Sequence, residues 1–196
     1  MMPPFLRKVC AALAVWVLPG KYTRSSPPAT GEVPPAQAEK CELEGVENLY
    51  RVTPELYRSG QPTLQGFSNL QAMGVRSVLS MREYHDDKRK ARHTDLQLLR
   101  YPIGTSDVAE KDVENCLRML IAAPKPVVLH CWHGSDRTGI VVAAWRILFE
   151  GWTIGQAEAE FRLPAYGHHD FWYGNLVQLL RETDWEAMRT RLKIEL

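Results

Sequence analysis

The sequence predicts an α/β fold with a central, mostly parallel sheet flanked by helices, and three observations carry that expectation. Short apolar runs alternate with longer segments whose apolar residues recur at helical spacing. One run, V-V-L-H at residues 127–130, leads through a polar, glycine-bearing loop straight into an apolar helix. Composition is that of a globular chain: 45% hydrophobic and 24% charged over 196 residues, enough for one ordinary domain plus a tail.

Residues 1–40 stand apart from that domain. They hold five Lys/Arg against two Glu, which leaves nineteen against twenty-one, a net of −2, for residues 41–196. A whole-chain charge of +1 argues against nucleic-acid binding by bulk electrostatics, so no nucleic acid is expected as a partner. Arg7 and Lys8 precede an apolar run over residues 9–18, which has the form of a signal peptide and is short for a membrane span. Export, or membrane association through residues 5–18, is the expectation; an N-terminal extension outside the fold or a misplaced start codon is the alternative. Ala36-Gln-Ala38 has the form of a cleavage site but lies far downstream, and Pro27, Pro28, Pro34 and Pro35 mark a linker. The predicted organisation is therefore a leader and linker over 1–40 and a single domain over 41–196. Cys10, Cys41, Cys116 and Cys131 show no disulfide framework.

After the linker, residues 49–52 and 56–58 read as strands broken by Pro54, followed by a turn at residues 59–62. Leu64, Phe67, Leu70 and Met73 give residues 63–73 a helical stripe that Gly74 stops. A strand over 75–81 follows. The strongly charged residues 82–93 predict a solvated helix face, with a basic rim that attracts an anionic substrate as the other reading. A strand over 96–103 precedes Asp107 and Glu110, which together suggest a capping-box helix start. Val113, Leu117, Leu120 and Ile121 mark the next helix, closed by Pro124. Residues 139–150 predict a buried helix stopped by Gly151. Thr153 and Gln156 suggest another capping box, and residues 171–181 and 185–192 complete the helices. His168, His169 and Asp170 lack the spacing of metal ligands and read as a polar connection that can flank a pocket; no metal and no cofactor is expected.

The chemistry concentrates at residues 127–139, V-V-L-H-C-W-H-G-S-D-R-T-G. A cysteine thiol at about pKa 8.5 is mostly protonated at neutral pH, but unpaired amides and a helix N-terminus favour its thiolate. The same groups favour a bound phosphate. Gly134 permits the φ > 0 conformation that turns successive N–H groups inward. Arg137 offers a planar fork for two phosphate oxygens, which lysine lacks. Thr138 places a hydroxyl within plausible reach of the sulfur, and His130 is placed to hydrogen-bond the backbone beneath the loop.

This string resembles the signature loop of the protein-tyrosine and dual-specificity phosphatase superfamily, and Y-R-S-G-Q-P at residues 57–62 resembles the opening motif of its compact atypical members. The resemblance implies a phosphatase with Cys131 as attacking thiolate, acting on a phosphorylated protein or small phosphomonoester. It implies a phosphate cradle from Trp132, His133, Gly134, Ser135, Asp136 and Arg137, and a role for Thr138 in hydrolysing the thiophosphate. It also implies a general acid on a loop upstream of the cysteine. Asp107 is the nearest match, with Asp136, Glu110 and Asp112 as rivals. Ser135 and Asp136 stand where many phosphoinositide phosphatases carry lysines, which favours phosphotyrosine or phosphoserine/threonine esters. Three rival readings stay open: an inositol or lipid phosphatase, a rhodanese-like sulfurtransferase, and a phosphoryl-binding module without turnover.

Overall fold

The computed structural model describes residues 36–194. The apolar run, Cys10 and most of the Pro-rich linker lie outside the described residues. Six strands form one sheet in the order β1-β2-β3-β6-β4-β5. β1 (Glu39–Lys40), β2 (Tyr50–Thr53) and β3 (Leu56–Ser59) pair antiparallel, with Pro54 in the turn between the last two. β3, β6 (Val127–His130), β4 (Ser77–Ser80) and β5 (Gln97–Arg100) run parallel. The mostly parallel sheet is therefore as expected. The folded part also takes in Glu39 and Lys40, just ahead of the boundary that composition suggested.

Alternation along the strands divides the core. Val127 and Leu129 of β6 and Leu79 of β4 pack into one apolar layer, while Val128 and Val78 pack into the other. The smaller layer is closed by α1 (Leu64–Ala72), whose Phe67 and Leu70 are fully buried and whose N-cap Thr63 accepts from Gly66 N–H. The larger layer is built on α3 (Asp136–Glu150), which is apolar nearly all round and buried along almost its whole length. Around it sit α2 (Glu110–Ala122), α4 (Ile154–Phe161), α5 (Asp170–Glu182) and α6 (Trp185–Leu192). Gly139 is required by this packing, since a Cβ there would lie 2.3 Å from the Phe161 ring. A buried ion pair ties α3 to α4: Arg146 Nε and Nη2 donate to Glu160 Oε2 and Oε1 at 2.9 and 2.8 Å.

Two local expectations are corrected. Residues 82–93 form bends and turns rather than a helix, and Arg82, Asp87 and Ala91 are buried. The rest of the run is largely solvent-exposed, as expected; the inward contacts of Arg82 and Asp87 are described below. Asp107 and Glu110 do not build a capping box: the N-cap of α2 is Ala109, whose N–H is bonded by Asp112 Oδ2 at 2.9 Å. The Thr153–Gln156 capping box does form.

Candidate active site

β6 lies between β3 and β4, so the loop that leaves it is flanked by the carboxyl ends of two neighbouring parallel strands. Such ends are where open α/β sheets place ligands. Residues on the β3 side take hold of three different atoms of the loop. After β3, Gln61 N–H donates to Trp132 O at 2.9 Å. Arg58 Nη2, from β3 itself, donates to Gly134 O at 2.7 Å, and Asn48 Nδ2 donates to His133 O at 2.8 Å. Arg58 is fully buried, its guanidinium 4.1 Å over the Tyr166 ring; burial lowers its pKa, against the raising influence of Tyr166 and Glu160.

Three consecutive carbonyls are thus turned toward the protein. Gly134, at φ +78°, makes the turn, and its Cα packs so tightly on the Ser59–Gly60 backbone that a Cβ would lie 2.5 Å from Ser59 O. The backbone N–H groups of residues 132–138 have no protein acceptor among the described residues. Buried amides left unpaired cost free energy. Gathered at the start of α3, they form a ready site for an anion with three acceptor edges.

Cys131 and Arg137 share this site. Cys131 is 2% exposed and is a free cysteine on the floor of a cleft of about 380 Å³. Trp132, His133, Asp136, Arg137, Thr105, His169, Trp172 and Tyr173 line the same cleft. Arg137 Nη1 donates to Met81 O at 3.1 Å and Ile103 O at 2.8 Å, at the ends of β4 and β5. Its Nε, buried without a partner, belongs to the half of the fork that remains for a bidentate anion. Thr138 is buried, and its hydroxyl makes no hydrogen bond among the described residues, to the sulfur or to any other atom.

His130 does hold the backbone beneath the loop. Its Nδ1 lies 2.9 Å from Cys131 O, and its Nε2 lies 2.8 Å from Asp87 Oδ2. A carbonyl only accepts, so Nδ1 carries hydrogen. Burial would raise the Asp87 carboxyl, but hydrogen bonds from His130 and Gln61 outweigh it and hold it below its ordinary value. A second anchor reaches the surface: Arg82 Nη1 donates to Gln61 Oε1 at 2.7 Å, and its guanidinium lies 4.0 Å under the Trp132 ring.

The four candidate acids separate by environment. Asp107 ends a 3₁₀ turn, Thr105–Asp107, beside the cleft; its exposed carboxylate folds back over Gly104 and makes no hydrogen bond or ion pair among the described residues. Asp136 is buried and accepts from His168 Nδ1, His169 N–H and His169 Nδ1 at 2.8, 3.0 and 2.9 Å. Burial would raise its carboxyl; these bonds reverse the shift and hold it low. Glu110 is paired with Arg191, and Asp112 caps α2 and accepts from the Tyr101 hydroxyl.

Sequence reasoning did not find Arg58, Asn48, Gln61, Arg82 or Asp87. The Y-R-S-G-Q-P motif was the available signal for Arg58 and Gln61: its arginine and glutamine grip the loop, and its glycine lets the two backbones meet. His169 lines the pocket, His168 meets it only through Asp136, and no cluster suited to a metal is present among the described residues.

Comparison with known proteins agrees with this geometry. The profile of a family described as the tyrosine phosphatase family matches residues 46–179. The dual specificity protein phosphatase TpbA of Pseudomonas aeruginosa is 33% identical over 164 residues, covering 83% of this chain and 73% of TpbA. A crystal structure of a cysteine-to-serine TpbA variant in complex with phosphotyrosine matches with a TM-score of 0.73 and 30% identity, over 82% of this chain and 98% of that one. The inositol diphosphatase DSP5 of Arabidopsis thaliana is 28% identical over 127 residues, 60% of this chain and 62% of that protein, so the chain spans less than two thirds of its length.

Proposed function

The chain belongs to the tyrosine phosphatase family, and from that membership we propose that it hydrolyses phosphotyrosine, and with it phosphoserine or phosphothreonine esters, through a phosphocysteine on Cys131. The observation that carries the reading is the set of unpaired amides over residues 132–138, with Cys131 and Arg137 in the same cleft. Phosphoryl transfer passes through a loose transition state, so charge stabilisation and positioning are most of what a protein must supply. The Cys131 thiolate attacks phosphorus in line. The amides and the free side of Arg137 hold the equatorial oxygens, and Thr138, whose buried hydroxyl is unpartnered among the described residues, is assigned to hydrolysis of the thiophosphate.

Asp107 is assigned as the acid that protonates the leaving oxygen. Its carboxylate is unengaged, two residues past Thr105 on the cleft wall, whereas Asp136 is stabilised in the ionised form that cannot donate. Aromatic rings at the cleft, Trp132, Trp172 and Tyr173, suit an aryl ester. The inositol-diphosphatase reading draws on the more distant relatives; an ionised Asp136 beside the cradle opposes a heavily phosphorylated ring. A panel of phosphopeptides, phosphoinositides and inositol phosphates tests the substrate class: phosphotyrosine peptides are expected to give the highest kcat/KM, and preference for inositol phosphates would overturn it. We assign the residues ahead of Glu39 to a leader and linker and those from Glu39 onward to the phosphatase domain; the basic–apolar pattern of residues 7–18 supports export or a membrane tether, and fractionation of cells expressing the full chain tests it.

A further inference from the structure

A second hollow, of about 370 Å³, lies beside the first cleft and is lined by Arg89, Lys90 and Arg92 together with Thr63 and Leu64. The backbone that carries its cations is pinned. Ala91 is buried and its N–H donates to Asp87 O at 2.8 Å, while the Asp87 side chain is tied to His130. Arg92 Nη1 donates back to Arg89 O at 2.9 Å, which ties one cationic side chain to the backbone of another. Lys88, Arg89, Lys90 and Arg92 form no ion pair with a carboxylate among the described residues. Asp87 acts on Lys90 through space, but its two oxygens are already engaged by His130 and Gln61. Burial and then the Arg82 guanidinium lower the Lys90 pKa; Asp87 opposes them and Arg89 adds to the lowering. Like charges gathered at one hollow without a counter-charge favour a bound anion.

The hollow and the cleft share a wall. Gln61 N–H donates to Trp132 O at 2.9 Å, Arg82 Nη1 donates to Gln61 Oε1 at 2.7 Å, and Thr63 follows Gln61 by two residues. Trp132 lines the cleft that holds Cys131 and Thr63 lines the hollow, which sets them roughly 10 Å apart, the reach of about three extended residues. Resting on the reading of Cys131 as nucleophile, we propose that the hollow of Arg89, Lys90 and Arg92 recognises an acidic stretch of the substrate protein about three residues from its phosphorylated tyrosine. One polypeptide bridges both sites, and its carboxylates supply the counter-charge that the fold withholds. A concave site suits side chains carried on a chain better than it suits a flat layer of headgroups. Ion pairs at such an exposed place are individually weak and screened by salt, so the preference belongs in KM rather than kcat.

The test is steady-state kinetics of the full chain on matched phosphotyrosine peptides. Two carry Asp-Asp about three residues before or after the phosphotyrosine, one carries Asn-Asn at both places, and one carries Lys-Lys. An acidic peptide is expected to exceed the Asn-Asn peptide about fivefold in kcat/KM, through KM, with the gain lost at high salt. Arg89→Gln with Lys90→Gln should abolish that gain and leave turnover of p-nitrophenyl phosphate within about twofold of wild type. Arg89→Glu with Lys90→Glu should move the preference to the Lys-Lys peptide, which a purely structural role would not do. If the paired substitution loses turnover of p-nitrophenyl phosphate, Arg89→Gln alone takes its place. Equal rates on acidic and Asn-Asn peptides, or a preference that survives these substitutions, overturn the recognition site. Equal rates joined to Arg89-dependent binding of phosphatidylserine vesicles overturn it in favour of a membrane surface. Absence of turnover by wild type on peptides and p-nitrophenyl phosphate alike overturns instead the reading at Cys131.

Discussion

The contact between Asp87 and His130 joins a surface segment to the nucleophile's own carbonyl, and its removal has a magnitude that the structure sets. Both side chains are buried, 4% and 0% exposed, and the 2.8 Å contact is one of two bonds that Asp87 accepts. Replacing Asp87 with alanine strands His130 and Gln61 together. Leaving two inward-facing polar groups without their acceptor costs about 1–3 kcal/mol each, so about 4 kcal/mol in all, which in a domain of this size lowers Tm by about 10 °C. Asp87→Asn is milder. It keeps one acceptor but turns an amide toward either His130 or Gln61 Nε2, and the loss of a charge-assisted bond costs about 2 kcal/mol. Since the folded carboxyl titrates below its unfolded value, its contribution is present above about pH 4 and is lost as pH falls through the folded value. Wild type should therefore lose its advantage over Asp87→Asn under acid conditions. Because His130 also holds Cys131 O, kcat should fall about 10²-fold in the alanine variant through displacement of the sulfur. Thermal melts across pH, with kcat on p-nitrophenyl phosphate, measure both effects. An unchanged Tm would refute the pair; a lowered Tm with full kcat would refute its link to the nucleophile.

The loop and the acid make their own demands. Gly134→Ala combines a left-handed φ, costing about 1–2 kcal/mol, with a Cβ placed 2.5 Å from Ser59 O; vanadate affinity should fall with kcat, and retention of both would contradict the amide cradle. Arg137→Lys cannot hold the carbonyls of Met81 and Ile103 while gripping two phosphate oxygens, so kcat should drop about 10²–10³-fold; a small loss would remove the fork from the mechanism. Asp107→Asn should slow an alkyl phosphate far more than p-nitrophenyl phosphate, whose leaving group needs little protonation, whereas Asp136→Asn should show no such dependence; the reverse pattern would move the acid to Asp136.

What the sequence revealed was whatever local pattern encodes. β6, the loop and α3 share one continuous stretch, so strand, glycine turn and helix start could be read together, and Gly134 has the positive φ its position suggested. Asp87 could not be read that way. Its segment is a run of charges, and only the fold brings it beneath residue 130, whose burial makes one carboxylate in that run turn inward. Arg58 and Gln61 lay in a motif whose residues were visible but whose purpose needs the pairing of β3 with β6 to appear. The α2 cap shows the opposite limit: Asp107 and Glu110 have capping-box spacing, yet Ala109 is the N-cap and Asp112 supplies the capping carboxylate.

Acid-quenched enzyme, digested and mapped by mass spectrometry after mixing with substrate, asks which atom carries the phosphoryl group. A labile phosphoryl group on the peptide containing Cys131, absent from Cys131→Ser together with turnover, is the expected result. Unimpaired hydrolysis by Cys131→Ser, or a phosphoryl group on another residue, would contradict the account.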